Sequence, residues 1–417
     1  MRTIFKSISK KITHEHLFMI SVLIVNGGNY LYNLVLGRFL GPEKFSDAAI
    51  LITFLLVLSF VAMTFQLVTA KFSVEFDATT LKKFISNTYV SAFVVGLVLG
   101  VLIVFFSTQL QAFFKTSTAT MFVIFGLGIP FYFVMSVNRG IFQGKKRFIP
   151  LSITYQLEMI SRLLFTLLLF FVLMIDTSII VAIGIFLSFV IAMFPNRLQK
   201  VSFKKIEPLT KEQSSKVRTF FMISAFYELT QIVINNSDII LVKHYFENYD
   251  AGLYASLALI GRVVYFIAWM FVMLLLPTVL KLKKEGKNTT KILSKYVVYI
   301  TLITGIIVVS CFFFPKQIIL ILFGKSYLSI GSLLWQYALA IGFFAISNIF
   351  AYYYLLLDKY IPVIISGVFG LLQILLIVLF HNSLAQVVHM QIIAMVTLLV
   401  IQSSFFYFKT SFHKKHI

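Results

Sequence analysis

The sequence predicts an all-α integral membrane protein with about twelve transmembrane helices in two pseudo-symmetric six-helix bundles. Three observations lead to this prediction. Of the 417 residues, 59% are hydrophobic and 12% are charged, which is far too apolar for a soluble globular chain. The apolar stretches are long enough to cross a hydrocarbon core about 30 Å thick, and short polar breaks separate them. The longest polar interval divides these stretches six and six.

Twelve spans follow one another from residue 17 onward, each with about 20 mainly apolar residues. The predicted spans are residues 17–40, 46–70, 85–107, 118–138, 149–173, 177–196, 218–242, 251–280, 293–314, 330–357, 360–380 and 385–408. We predict an N-terminal bundle at residues 1–198, a cytoplasmic linker at 199–217 and a C-terminal bundle at 218–417. No stretch outside the spans is long enough to form a separate soluble catalytic domain.

The distribution of basic residues predicts the orientation of the chain. The net charge is +21, and most of the 36 Lys and Arg residues fall in the two terminal tails and the even-numbered loops. The odd-numbered loops hold Arg38, Lys44, Lys115, Lys243, Lys316 and Lys325. The positive-inside rule then places both termini in the cytoplasm. Because the basic residues are dispersed through loops that face an anionic leaflet, we expect them to meet the lipid bilayer and not nucleic acid.

Several kinds of chemistry have no basis in the sequence. Cys311 is the only cysteine, so neither an intrachain disulfide nor a cysteine metal cluster can form. The chain has no glycine-rich phosphate loop that ends in Gly-Lys-Ser/Thr, and the spacing of its polar residues indicates no catalytic triad or carboxylate pair. We therefore expect a protein that is not an enzyme and that carries no metal or organic cofactor.

The opening span of each predicted bundle carries one polar stripe. Asn26, Asn29 and Asn33 share a face of the first span, at positions i, i+3 and i+7. The stripe of the seventh span contains Glu228, Gln231, Asn235 and Asp238. Polar side chains that faced hydrocarbon would cost about 2 kcal/mol or more each, so these stripes face protein or water. Hydrogen bonding between packed helices and the lining of a shared wet crevice both remain open for the asparagines.

Few other charged residues lie deep within the spans. Glu158 and Arg162 are one turn apart in the fifth span, where they can form an ion pair. Arg262 in the eighth span lies at a depth similar to that of Glu228. Arg262 either pairs with Glu228 or projects into a cavity as an anion ligand.

Three short segments resemble a known family. The segment LGRFLGPEKFS at Leu36–Ser46 is similar to the small-Arg-aliphatic-Leu-Gly-Pro-Glu-x-aromatic-Gly segment of the bacterial polysaccharide exporters. SDIIL at Ser237–Leu241 and AGLYA at Ala251–Ala255 resemble that family's second half. These exporters are the flippase branch of the multidrug/oligosaccharidyl-lipid/polysaccharide (MOP) superfamily.

The resemblance implies a flippase of the bacterial inner membrane. Its substrate would be an undecaprenyl-pyrophosphate-linked oligosaccharide, an O-antigen or capsule repeat unit, that crosses to the outer leaflet by alternating access. A polysaccharide polymerase is a possible partner. The substrate-binding residues would be Asn26, Asn29, Asn33, Arg162, Gln231, Asn235 and Arg262. If a Na⁺ or H⁺ gradient drives transport, Glu228 or Asp238 would exchange the coupling ion.

Two other functions compete with this interpretation. Multidrug antiporters of the same superfamily use an acid in the seventh span, but the tenth span offers only Gln336 and Asn348 where they have a second acid. Membrane glycan polymerases and ligases need a large periplasmic loop, and every odd-numbered loop here is short. Peptidoglycan-precursor flippases carry an Arg-Asp pair where this chain has Tyr32 and Asn33, which disfavours lipid II as the substrate.

Overall fold

The computed structural model describes residues 14–173, 175–195, 208–285, 287–357 and 359–414. The predicted N-terminal tail before residue 14 and the linker residues 199–207 lie outside these ranges. The helices are α1 (His14–Glu75), α2 (Ala78–Phe105), α3 (Ser107–Phe114), α4 (Thr120–Gly144), α5 (Phe148–Val172), α6 (Thr177–Ala192), α7 (Lys211–Tyr245), α8 (Asn248–Lys284), α9 (Thr290–Phe313), α10 (Pro315–Leu322), a 3₁₀-helix (Lys325–Leu333), α11 (Leu334–Leu356), α12 (Ile361–Leu379) and α13 (Leu384–Lys414). The described residues contain no strand, which confirms the all-α fold class.

The helices account for the twelve predicted spans. Ten helical stretches of the described residues are long and apolar enough to cross a membrane, and the first of them, Leu17–Glu75, covers two predicted spans. These two arms of α1 meet at Gly41, whose φ of 72° is accessible to glycine at little cost. Pro42 follows it and has no N–H to donate to the preceding turn. With both arms of α1 counted and the shorter apolar helix Thr177–Ala192 added, twelve helical segments of the described residues correspond to the predicted spans.

The chain forms two compact units. Unit 1 contains the chain up to Leu36 together with Leu51–Glu228, and unit 2 contains Gly37–Ile50 together with Leu229 onward. This grouping differs from the division by hydropathy at two segments. The corner of α1, Gly37–Ile50, belongs to unit 2, and the first half of α7 belongs to unit 1. The predicted domain limits stay a prediction, because part of the linker is outside the described residues.

The two units repeat one packing pattern. In unit 1, α4 is central and packs against α2 and α6, while α5 packs against α6. In unit 2, α11 is central and packs against α9 and α13, while α12 packs against α13. The third span of each half is followed by an eight-residue helix, α3 or α10, that the sequence analysis did not predict. The matched order of contacts confirms the predicted pseudo-symmetry.

Small residues and exposed apolar side chains show how the fold suits a membrane. A Cβ atom on Gly100 of α2 would lie 2.4 Å from the carbonyl oxygen of Gly126 on α4, so only glycine allows these two backbones to meet. On α5, Leu164, Leu168 and Phe171 form an exposed stripe. Lipid tails are as apolar as these side chains, so the stripe is stable when it faces the bilayer.

Candidate functional site

A cluster of charged side chains lies inside unit 1, between α4 and α5. Glu158 accepts from two arginines: its Oε2 atom is 2.7 Å from Arg139 Nη2, and its Oε1 atom accepts from Arg162 Nη2. All three side chains are largely buried. The ion pair between Glu158 and Arg162 that the i, i+4 spacing predicts is therefore present. We call these three residues the unit 1 charge cluster.

Arg139 was not predicted as a site residue. The fourth predicted span ended at residue 138, which assigned Arg139 to a cytoplasmic loop, whereas α4 continues to Gly144. Its guanidinium donates from Nε to Thr154 Oγ1 (3.1 Å) and from Nη2 to the Thr154 carbonyl (3.0 Å), and it lies over the Tyr155 ring at 3.9 Å. The buried cluster thus contains two arginines and one acid, with a net charge of +1. The sequence contains one indication that Arg139 lies within the membrane, namely that the apolar segment continues past it to Phe142.

The first arm of α1, which carries the asparagine stripe, packs against α5. Tyr32, between the asparagines in sequence, hydrogen bonds to Thr166 of α5 (3.2 Å) and is buried. Asn33 donates to the carbonyl of Asn29, one turn earlier on its own helix (2.9 Å). Asn26 is exposed, and Asn29 and Asn33 are half-buried. Among the described residues the three asparagines form no side-chain bond to another helix, so bonding between packed helices does not explain the stripe.

A second polar cluster lies in unit 2, where four helices meet around Asp238. This fully buried carboxylate accepts two hydrogen bonds at Oδ2, from Tyr254 of α8 (3.1 Å) and Tyr337 of α11 (2.8 Å). The Tyr254 hydroxyl is also 3.1 Å from Gln391 Oε1 on α13. Within the described residues, Asp238 Oδ1 has no hydrogen-bond partner. Of the two carboxylate oxygens of Asp238, the predicted coupling residue, one accepts two hydrogen bonds and the other accepts none from the described residues.

Arg262 is held by α7 through neutral groups. Its Nη2 atom donates to the Asn235 carbonyl and to Asn236 Oδ1 (3.0 Å). No acidic partner for Arg262 occurs in the described part of unit 2, and its Nε atom also lacks an acceptor there. The two alternatives that the sequence left open for Arg262, an ion pair with Glu228 and a role as an anion ligand, stay predictions. Glu228 is half-buried and is the last residue of unit 1.

The remaining predicted residues of α7 lie on the buried face of that helix. Gln231 accepts from Tyr265 at 3.3 Å, and Asn235 donates to the Gln231 carbonyl at 2.8 Å. Gln231 Nε2 and Asn235 Oδ1 have no partner among the described residues. The roles of these residues in binding stay predictions.

The corner of α1 docks within unit 2 through a buried ion pair. Lys243 of α7 donates to Asp47 Oδ1 and to Ser46 Oγ, both at 2.7 Å, and to Asn248 Oδ1. The Tyr327 hydroxyl donates to the Gly37 carbonyl at 2.7 Å. Three donors on one ammonium group meet three acceptors, so the burial of Lys243 is fully compensated.

Close backbone packing completes the corner. A Cβ atom on Gly252 would lie 1.8 Å from the Pro42 carbonyl oxygen, so α8 touches the corner at a position that only glycine allows. Pro42 and Gly252 belong to two of the three segments that carry the family resemblance. The third segment contains Asp238, which accepts a hydrogen bond from Tyr254 in the segment of Gly252. These weak motifs thus have one physical basis, because they form the contacts that join the corner, α7 and α8.

The sequence matches the family described as polysaccharide biosynthesis protein over residues 35–332. The chain belongs to this family. No curated protein matches the chain at a significant level. The matched range includes the corner of α1, Asp238 and Tyr254, which confirms the resemblance inferred from those segments.

Solved structures show which fold this family member has. The chain is similar to a lipid II flippase, MurJ, in an inward closed conformation, with a TM-score of 0.73 and 18% identity over 93% of this chain and 86% of that chain. It is also similar to an inward-facing multidrug resistance MATE family transporter of the MOP superfamily, with a TM-score of 0.67 and 13% identity over 91% and 94% of the two chains. The eukaryotic MATE transporter AtDTX14 matches with a TM-score of 0.63 and 13% identity over 96% and 95%. The chain therefore has the fold that these flippase and transporter structures share.

Proposed function

We propose that this protein is a flippase that moves an undecaprenyl-pyrophosphate-linked oligosaccharide, an O-antigen or capsule repeat unit, from the cytoplasmic to the outer leaflet of the bacterial inner membrane. The observation that carries the proposal is the combination of a polysaccharide biosynthesis family with the fold of lipid flippases and transporters. A chain of this kind contributes to glycan synthesis by movement of an intermediate. We place both termini in the cytoplasm, as the basic residues predict.

The polar groups of the two units suit such a head group. Sugar hydroxyls and phosphate charges are costly to bring into hydrocarbon without compensation. The half-buried asparagines of α1 offer hydrogen-bonding groups for sugars, and Gln231 and Asn235 offer more in unit 2. Arg162 and Arg262 can each bind phosphate oxygens with two donors at once. The prenyl chain stays in the lipid, so only the head group needs these contacts.

We propose that Asp238 exchanges the coupling ion if transport is driven by a gradient. A buried carboxylate oxygen without a partner is costly, and either a proton or a Na⁺ ion at Oδ1 would satisfy it. The tyrosines on Oδ2 hold the carboxylate in place meanwhile. Asp238→Asn should abolish the dependence of transport on the gradient, and imposed H⁺ and Na⁺ gradients in proteoliposomes would identify the ion. Transport that responds normally to the gradient in this variant would remove Asp238 from the mechanism, leaving Glu228 as the acid to test.

The proposed function is tested by deletion and reconstitution. We expect deletion to abolish surface glycan and to leave lipid-linked repeat units in the cytoplasmic leaflet, and we expect the wild-type gene to restore export. Arg262→Ala should fail to restore it although the protein is present in the membrane, while Lys216→Ala, an exposed charge at the start of α7, should restore it. Normal surface glycan in the deletion strain would refute the proposal.

A multidrug antiporter is the second candidate, because MATE transporters share the fold. Deletion would then increase susceptibility to amphipathic cations and leave surface glycan intact. The absence of a second acid in the tenth span argues against this function.

A further inference from the structure

The two arginines of the unit 1 charge cluster are held in different ways. Arg139 has contacts that do not depend on Glu158, namely two hydrogen bonds to Thr154 and the face of the Tyr155 ring. For Arg162, the described residues provide one hydrogen-bond partner, Glu158. Its Nε atom is buried and has no acceptor among them. Arg139 is therefore held in place even without Glu158. Arg162 has one hydrogen bond, to Glu158, that a ligand can replace, and an Nε donor that has no acceptor among the described residues.

The charge of the cluster is unbalanced in favour of an anion. Two guanidinium groups share one carboxylate, and a buried positive charge without a counter-ion is unfavourable in a medium of low dielectric constant. Glu158 is also the most accessible of the three, with 15% of its side chain exposed against 8% for Arg162 and 5% for Arg139. The carboxylate is thus the member of the cluster with the largest exposed fraction.

We propose that Glu158 stands in for a phosphate group of the substrate. The phosphate takes the place of the carboxylate on Arg162, and Arg139 retains Glu158 beside the site. This inference rests on the proposed function and assigns the diphosphate of the lipid-linked oligosaccharide to unit 1. Arg162 contacts the phosphate through its planar fork, and one negative charge of the phosphate neutralises the cluster. Arg139 is a positioning residue that contacts Glu158 and does not contact the phosphate.

The neighbouring helix makes this site suitable for a phosphate that carries sugars. Tyr32 of α1 bonds to Thr166, one turn beyond Arg162 on α5, and its hydroxyl lies within the electrostatic reach of Arg162. A Cβ atom on Gly28 would lie 2.4 Å from the Met159 sulfur, so α1 packs directly on α5. Asn33 directly follows Tyr32 and is half-buried, so the same arm of α1 offers a hydrogen-bonding group for a sugar attached to that phosphate.

Binding of a simple polyprenyl diphosphate tests the assignment. The probe is geranylgeranyl diphosphate, titrated by calorimetry into the full-length protein in detergent, with geranylgeraniol as the probe without phosphate. Arg162→Lys keeps the charge and the pairing with Glu158 but loses the fork, so we expect at least tenfold weaker binding of the diphosphate. Glu158→Gln should bind severalfold more tightly, because the competing carboxylate is gone. Arg147→Gln removes an exposed charge that lies outside the cluster, and its affinity should match that of the wild type.

The double variant separates positioning from direct contact. Arg139→Gln alone should weaken binding, because Glu158 then competes for Arg162 without a second partner. Arg139→Gln combined with Glu158→Gln should restore wild-type affinity or better. This double variant removes one positive and one negative charge together, so the net charge of the cluster does not change. A double variant that binds as weakly as Arg139→Gln would show that Arg139 contacts the ligand or supports the fold only, and would overturn the assignment.

The outcomes distinguish this inference from the function on which it rests. Unchanged affinity in Arg162→Lys, in a protein that the cell requires for glycan export, would overturn the stand-in role of Glu158 alone. Glycan export that does not require the protein would overturn the proposed function itself.

Discussion

Replacement of Lys243 by Met should strongly destabilise unit 2. Lys243 is 1% exposed and Asp47 is 4% exposed, and the Lys243 ammonium group lies 2.7 Å from Asp47 Oδ1. At an effective dielectric constant of about 20, two unit charges at that distance attract by about 6 kcal/mol, and desolvation offsets several kcal/mol of this. Loss of the cation leaves a buried carboxylate without a counter-ion, so we expect a loss of about 3–5 kcal/mol.

Thermal unfolding in detergent measures this effect. Lys243→Met should lower the midpoint by on the order of 10 °C. Asp47→Leu combined with Lys243→Met should recover most of the loss, because an apolar pair of similar volume often replaces a buried ion pair without cost. Lys216→Met is the matched control, since Lys216 forms an exposed i, i+4 pair with Glu212 at 2.9 Å and its loss should change little. A double variant as unstable as the sum of its singles would refute the coupling of the two charges.

Three further predictions test other contacts. Gly252→Ala should prevent normal folding, because its Cβ would lie 1.8 Å from a backbone oxygen of the corner. Gly305→Ala is the control, since no atom lies within 4 Å of the added Cβ, and this variant should express and unfold like the wild type. Size-exclusion profiles of the two variants and the wild type measure the difference. Tyr337→Phe should cost about 1.5–3 kcal/mol in thermal unfolding, because Asp238 loses its shorter hydrogen bond, and a midpoint equal to that of the wild type would contradict this. Hydrogen bonds from two threonines hold the pKa of Asp77, the N-cap of α2, well below its usual range. This carboxylate therefore stabilises the fold above the unfolded pKa of about 4 and loses that effect as the pH falls through its lower folded pKa, so the instability of Asp77→Ala at pH 7 should shrink in acid; a difference that does not change with pH would exclude the charge of the cap as its cause.

Part of the candidate site was predictable because it depends on helical spacing. Glu158 and Arg162 are four residues apart on one helix, so their ion pair follows from the sequence as soon as α5 is recognised. The polar stripes of α1 and α7 follow in the same way. Arg139 was not predictable, because its contacts with Glu158 depend on how α4 packs against α5 and on where α4 ends. The partners of Asp238 on α8, α11 and α13 likewise come from distant parts of the chain.

The amino-acid sequence by itself determined the membrane class, the twelve spans and the pseudo-symmetric halves. These are consequences of local hydrophobicity and length, because a run of about 20 apolar residues forms a spanning helix whatever its neighbours are. Only the tertiary structure decided that the corner Gly37–Ile50 joins unit 2, that Lys243 pairs with Asp47, and that two arginines share Glu158. Such pairings join residues up to about 200 positions apart, and they are set by which helix faces pack together, a property that the periodicity of a single helix does not contain.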